Sequence, residues 1–312
     1  MGAIGVAVNA LDPAIQALKD GRLIILPTET VYGLAADAGN AGAVAALYAA
    51  KGRPRFNPLI AHVFDVKAAT AVARLDERAR SLAEAFWPGA LTLVAPAQRD
   101  SGVRDLARAG LDTVAVRVPA HPVARAVLEG FGGPVVAPSA NRSGRPSPTT
   151  FAHAMAETGA VAAAALDGGP CALGLESTVV ALLDGPARLL RPGAVTRARI
   201  EALIGPLAEA DLDARRSPGR LTRHYAPAAP LRLDASGPAP GEAFLAFGPA
   251  AEGPLVFNLS RAGDLAEAAA NLFAHLRAAD VLGPAAIAVA PISEEGLGEA
   301  INDRLRRAAG AL

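Results

Sequence analysis

One cysteine in 312 residues, Cys171, leaves no disulfide framework and no cysteine cluster for zinc, so a reducing cytoplasm is the expected compartment. Every apolar stretch meets a Gly, Pro or charge before the roughly 18–20 residues of a membrane-spanning helix, so no membrane role is expected. The first twenty residues, MGAIGVAVNALDPAIQALKD, lack the basic start and small-residue cleavage site of a secretory signal and run into an amphipathic pattern. Aromatic residues are 4% of the chain, and only three of its thirty basic residues are lysines (Lys19, Lys51, Lys67), a bias toward Arg that accompanies a bias toward Ala. Thirty acidic side chains cancel the thirty basic ones. The absence of a basic excess argues against a protein built mainly for long-range attraction to nucleic acid, while leaving room for a local basic cluster. Standard catalytic signatures are missing too: GxxxxGK[ST], GxGxxG after a strand, HExxH and GxSxG. An ordinary P-loop kinase, dehydrogenase, zinc hydrolase or serine hydrolase is thereby excluded.

What is present is a globular composition, 52% hydrophobic and 19% charged, in a chain long enough for two domains at roughly 100–200 residues each. Short apolar runs (RLIIL, PLIAHVF, LTLVAP, TVAVRVP, PVVAP, STVVALLD, ARLLRPG) alternate with helical patterns at 11–20, AGAVAALYAAKG, 76–86, HPVARAVLEG, 149–157 and TRARIEALIG. Residues 1–205 therefore read as one α/β unit. PTETVYGLAADA between them reads as a polar loop. Residues 206–233 are rich in Pro, Gly and Arg, without an apolar period, and read as a linker. Residues 234–312 alternate FLAFG, PLVFNLS and AIAVAP with two helices, the rhythm of a small parallel, Rossmann-like βα domain. The first of these helices is bounded by Gly263-Asp264 and the second by the Glu294-Glu295 pair.

Five segments could carry a site, and each has a plainer reading. PTETVYGL, residues 27–34, sets two hydroxyls and a carboxylate after a strand, suited to capturing a small polar ligand or simply to a turn with capping threonines. KGRPRFNPL packs Lys51, Arg53 and Arg55 around a Gly and a Pro, either a polyphosphate site or a solvated basic loop. His62, inside an apolar strand, would by default be a core histidine. Arg117 at the edge of TVAVRVP needs a carboxylate partner or an anionic ligand. With it go the strand ends Thr113, APSAN (137–141), Ser147 and Glu176-Ser177-Thr178, whose small polar groups suit phosphate or ribose. Arg191 ends another apolar run. In the linker stretch SPGRLTRHYAP the His224-Tyr225 pair is out of place in a mere tether, and a segment that packs over a site as a lid would explain it.

Taken in order, PTETVYGL, KGRPxxNPL, WPGxLT, GLDTVAVRVPAHP, APSANRSGxPSPT, GLESTVV and LLRPG resemble the YrdC-type family of threonylcarbamoyl-AMP synthases over about residues 10–200. The linker and GLGEAINDRLRRAA resemble the family's long, two-domain form. The resemblance implies a twisted mixed-sheet catalytic domain and a nucleotidyltransferase that condenses L-threonine, bicarbonate and ATP to threonylcarbamoyl-AMP and pyrophosphate, the first step of threonylcarbamoyl-adenosine formation in tRNA. It implies that Thr30, His62, Arg117, Ala137 and Ser177 hold threonine. Lys51, Arg53, Asn57, Thr113, Ser139, Asn141, Ser147, Arg191 and Tyr225 would line ATP, with Lys51 and Arg53 as the catalytic cations. Mg2+ would accompany ATP without dedicated protein ligands. A downstream tRNA threonylcarbamoyl-transferase complex would take the product, and tRNA itself is a further conceivable partner. A double-stranded RNA-binding module of the same fold is the alternative, disfavoured by zero net charge. Carbamoyl transfer, as in the related domain of hydrogenase-maturation proteins, would call for acylphosphatase-like and zinc-finger segments that are not visible here. No glycine-rich phosphate loop marks a second nucleotide site in residues 234–312, whose expected role is to fix the lid or to self-associate.

Overall fold

The computed structural model describes residues 7–209 and 224–311. The first stretch opens with β1 (Ala7–Val8), α1 (Leu11–Lys19), β2 (Ile24–Leu26), β3 (Gly33–Asp37), α2 (Ala41–Lys51), β4 (Ile60–His62), α3 (Val66–Val72) and α4 (Glu77–Phe86). It continues with β5 (Leu91–Pro96), β6 (Thr113–Arg117), α5 (Pro122–Phe131), β7 (Val135–Val136), α6 (Phe151–Thr158), β8 (Ala164–Ala165), β9 (Thr178–Ala181), β10 (Arg188–Arg191), α7 (Arg197–Ile204) and β11 (Ala208–Glu209). The second stretch holds β12 (Leu231–Arg232), β13 (Ala243–Ala246), β14 (Val256–Asn258), α8 (Leu265–Val281), β15 (Ile287–Val289) and α9 (Leu297–Ala309).

Local chemistry explains the helix ends. Asn40 accepts the amides of Gly42 and Ala43 to start α2, and Gly52 stops it with a left-handed φ of 58° that any side chain would resist. Asp264 caps α8 by accepting the Glu267 amide. The glutamate pair expected at the start of the last helix lies just outside it, because α9 begins at Leu297 after Gly296.

Eleven short strands form one mixed sheet in the order β1-β8-β2-β3-β7-β4-β6-β5-β9-β10-β11. Alternation along β2 divides the core: Ile24 and Leu26 pack with α1 and α5, whereas Leu23 and Ile25 join the larger core with α2, α3 and α4. On the central strands a third patch, Ile60, Val94, Ala115, Val179, Ala181 and Leu190, contains no helical residue. All six are buried.

Two elements escape the sequence pattern. β3 falls within the stretch read as a polar loop; it is buried on both faces by small residues, so it shows no alternation. The Ala-rich α3 has only seven residues, started by Asp65 accepting the Ala68 amide. The first sheet extends to Glu209 through β11, which pairs with β10, and the second begins at Leu231. Of the linker read at 206–233, residues 210–223 lie outside the described residues.

The second sheet is all parallel, in the order β12-β15-β13-β14. β13 reaches β14 by a loop alone, and a helix intervenes only between β14 and β15. Helices α8 and α9 form a core with the inward residues of β13 and β15, and Val31, Leu175 and Tyr225 belong to that same core. The two sheets are thus joined through α8 and α9. Gly174 approaches α8 so closely that a Cβ there would lie 2.5 Å from the Ala269 carbonyl oxygen.

Candidate active site

A cavity lies beside the large sheet, lined by Thr30, Ile60, His62, Arg117, Ala137, Ser139, Glu176, Ser177 and Arg191 together with Arg53, His224 and Tyr225. It offers about 500 Å³ of space free of atoms, part of it open to solvent.

The PTET loop follows β2. Thr28 Oγ1 accepts the amides of Thr30 and Val31, both at 3.2 Å, donates to the Val31 carbonyl at 2.6 Å and lies 2.7 Å from Thr30 Oγ1. Thr30 Oγ1 accepts in turn from Arg117 Nη1 at 2.9 Å. The turn and the Arg117 guanidinium are thus linked through the two hydroxyls.

Arg117 ends β6, beside His62 of β4 in parallel register. Its Nε donates to the Gly89 carbonyl at 3.0 Å and its Nη2 to Glu29. Glu29 also accepts the amides of Ala120 and His121. Burial pushes the Glu29 carboxyl up, but Arg117 and these donors outweigh it and the net shift is downward. A guanidinium has five N–H groups and three bonds are used here, so Arg117 keeps donors for a second anion. His62 is buried, and burial together with the Arg117 charge lowers its pKa to about 3, which leaves the ring neutral.

The cavity lining holds further cations, Arg53 and Arg191. Arg191, at the end of β10, donates from Nε and Nη2 to the Ser177 carbonyl at 3.0 and 2.8 Å and from Nη2 to Ser177 Oγ at 3.1 Å. Ser177 Oγ lies 2.7 Å from Thr92 Oγ1. Arg53 donates to the carbonyls of Asn57 and Pro58, and burial lowers its pKa to about 10, still protonated at neutral pH. Gly193, after Arg191, packs against the 176–178 backbone: a Cβ there would lie 2.5 Å from the Glu176 carbonyl oxygen. Space, not backbone conformation, requires that glycine.

Nine of the residues expected from sequence line the cavity together: Thr30, Arg53, His62, Arg117, Ala137, Ser139, Ser177, Arg191 and Tyr225. Lys51, Asn57, Thr113, Asn141 and Ser147 stand outside its lining. Lys51 is buried behind the wall, its Nζ donating to the Ser139 and Asn141 carbonyls. Asn141 Nδ2 ties its own loop at Arg142 and Arg145. Asn57 and Asn141 each keep a buried Oδ1 with no partner among the described residues. Thr113 stands two and four places from Ala115 and Arg117, on the same face of β6. Ser147 Oγ donates to Glu176.

Glu176, the only carboxylate lining the cavity, was grouped with its neighbours by sequence but given no role. Its two oxygens are held by Ser147 and Arg304. No cluster of three or more His, Cys, Asp or Glu able to hold a metal occurs among the described residues. Arg304, in α9, was missed altogether. Its signal is an arginine in a buried helical stripe, Ile301, Arg304, Leu305, Ala308.

Residues 16–193 match the family model described as Telomere recombination (Sua5, YciO, YrdC). Residues 195–310 match the model described as threonylcarbamoyl-AMP synthase, C-terminal domain. The threonylcarbamoyl-AMP synthase of Pyrococcus abyssi is 38% identical over 94% of this chain and 92% of its own length. That of Bacillus subtilis is 44% identical over 70% of this chain and 65% of its own. The solved structure of P. abyssi Sua5 complexed with L-threonine superposes with a TM-score of 0.89 at 36% identity, covering 98% of this chain and 97% of that one.

Proposed function

The chain belongs to the threonylcarbamoyl-AMP synthase family in its long, two-domain form, and from that premise we propose that it condenses L-threonine, bicarbonate and ATP to threonylcarbamoyl-AMP, pyrophosphate and water. The observation that carries this reading is a single cavity lined by two chemically distinct groups of residues. One presents Thr30, His62 and the spare donors of Arg117, and the other presents Arg53 and Arg191.

In the proposed mechanism the threonine carboxylate meets Arg117, and its amine lies toward neutral His62. Carbon dioxide from bicarbonate adds to the amine, giving an N-carboxylate. A carboxylate oxygen then attacks the α-phosphorus of ATP and the bond to the β-phosphate oxygen breaks, releasing pyrophosphate. No protein nucleophile is needed. The work is positioning and neutralising charge, which falls to Arg53 and Arg191. Lys51 supports this wall from behind by fixing the carbonyls of Ser139 and Asn141. Mg2+ enters with ATP as part of the substrate.

The product serves tRNA threonylcarbamoyl-adenosine formation, handed to a downstream transferase complex in the cytoplasm. No helix among the described residues is long and apolar enough to cross a membrane. Incubation with labelled bicarbonate, ATP and a panel of amino acids tests the reading. Label should enter an adenylate only with threonine; equal incorporation with serine or valine, or none with any, would overturn it.

A further inference from the structure

Residues 141–147, which carry two of the expected nucleotide residues, Asn141 and Ser147, lie in the loop between β7 and α6. Asn141 Nδ2 donates to the Arg142 and Arg145 carbonyls at 2.8 and 2.9 Å, and the Ser143 amide donates to the Lys51 carbonyl at 2.8 Å. Further support comes from α8. Arg277 Nη2 donates to the Pro146 carbonyl, and its Nη1 donates to Glu157 Oε1 at 3.0 Å. Glu157, near the end of α6, accepts the Arg142 amide on Oε2 at 3.1 Å, and its Oε1 lies 3.3 Å from Arg145 Nε. The Arg277 and Glu157 side chains are only 13% and 5% exposed, so water does not compete for these bonds. One turn along α8, Asp280 accepts the amides of Ala228 and Ala229 at 2.8 and 2.9 Å, so the same helix end also holds the chain that leaves Tyr225.

We propose that Arg277 is a positioning residue for the nucleotide: by holding the Pro146 carbonyl and the Glu157 carboxylate on one guanidinium, it fixes both ends of the 141–147 loop and so the places of Asn141 and Ser147. Pro146 is buried, so its carbonyl cannot turn to water unless the loop moves. That carbonyl and the Ser147 amide share one trans peptide plane and point to opposite sides of it. Anchoring the carbonyl on α8 therefore directs the Ser147 amide away from α8. At the other end, Glu157 holds the amide of Arg142, the residue after Asn141. The planar fork of an arginine suits this double task, because its two terminal nitrogens serve two acceptors at once. Without Arg277, Glu157 would keep the Arg142 amide and Arg145, whereas the Pro146 carbonyl would lose its donor and the loop would shift to satisfy it. Such a shift weakens ATP binding and leaves Thr30, His62 and Arg117 where they are. This inference rests on the reading of Asn141 and Ser147 as nucleotide residues.

The test uses the full chain as wild type, Arg277→Met, Arg277→Lys and Arg277→Gln. In Arg277→Met the KM for ATP should rise about tenfold or more while that for threonine stays within about twofold. The dissociation constant of a non-hydrolysable ATP analogue, measured by calorimetry, should rise in step with the KM for ATP. Arg277→Lys, which keeps a charged donor for the Pro146 carbonyl, should recover part of the loss. Equal rises in both KM values, as a general loosening of the fold would give, or a lysine variant no better than methionine, would overturn the proposal. If Arg277→Met does not fold, Arg277→Gln is read by the same split: a raised KM for ATP alone supports the proposal, and parallel or absent changes overturn it. A wild type without threonine-dependent turnover refutes the proposed function, whereas wild-type analogue affinity in Arg277→Met refutes only the role of Arg277.

Discussion

Arg117 Nη1 lies 2.9 Å from Oγ1 of Thr30, and the same guanidinium holds Glu29 two bonds along its fork. From sequence, an arginine ending an apolar strand needs a carboxylate partner or an anionic ligand. The structure provides the partner and, by using only three of five N–H groups, retains capacity for the ligand. Structural and binding roles therefore meet in one side chain, and substitutions must be chosen to separate them.

Thr30→Val should separate them. It removes the hydroxyl shared by Arg117 and Thr28 without unpairing Glu29, so stability should fall by about 1 kcal/mol and the KM for threonine should rise about tenfold. Arg117→Ala, by contrast, leaves Glu29 without its cation and should cost about 3 kcal/mol or more of folding stability. Thermal unfolding beside steady-state kinetics decides it. A Thr30→Val protein as destabilised as Arg117→Ala would contradict this division.

Stability should fall as pH drops below neutrality. Burial lowers both His62 and His224 to about 3, whereas the unfolded chain binds a proton on each near pH 6.5. The unfolded state therefore takes up protons first, and the stability tied to the neutral rings, present above about pH 6.5, is lost as pH falls toward the folded value. Each ring should contribute a loss of about 2 kcal/mol between pH 7 and pH 5. Glu29, Glu157 and Glu176, also shifted down, add to the loss further into acid. Denaturant unfolding of wild type and of a His62→Asn, His224→Asn variant at both pH values measures the histidine share. Identical pH slopes for the two proteins would remove the histidines from the account.

What the sequence reveals here depends on whether the signal is local. Asn40 and Gly52 mark α2 because capping is written in adjacent residues. Arg191 and Ser177 are legible as polar residues ending apolar runs, and the cavity contains both. β3 was not legible, since a strand of small residues buried on both faces has no alternation to detect. Lys51 sits in a basic run suited to phosphate, but what it touches is set by a loop 88 residues away. Arg304 meets Glu176 across 128 residues. Only its misplacement in an apolar helical stripe hints at a partner, and nothing local names which one.

Gly193→Ala should disable the site with little harm to the distant core. The added methyl would meet the Glu176 carbonyl oxygen at 2.5 Å and the Ser177 carbonyl carbon at 2.7 Å. Backbone cannot step aside as a flexible side chain can, so the 176–178 segment must shift, moving the carbonyl to which Arg191 donates. Turnover should fall at least tenfold. Normal kinetics in a folded Gly193→Ala protein would show that the segment tolerates displacement.

Tyr225 should prove to be the residue that must move for substrate to enter. It is 1% exposed and carries a φ of 62°, a left-handed backbone that costs a non-glycine residue about 1 kcal/mol or more. Its ring is held by His224 at 4.0 Å and Phe273 at 5.4 Å between centroids. Tyr225 lines the cavity beside His224 and Arg191, where it narrows the space open to a nucleotide. The strained backbone favours leaving, the aromatic contacts favour staying, and ligand contacts would tip the balance toward closure. Two substitutions divide these terms. Tyr225→Phe keeps the ring and should retain nucleotide affinity within a few fold. Tyr225→Asn accepts the left-handed backbone but loses the ring, and should release nucleotide about tenfold faster or more while leaving the fold intact. Stopped-flow dissociation of a fluorescent ATP analogue gives both rates, and equal rates in wild type and Tyr225→Asn would mean that the ring does not retain the nucleotide.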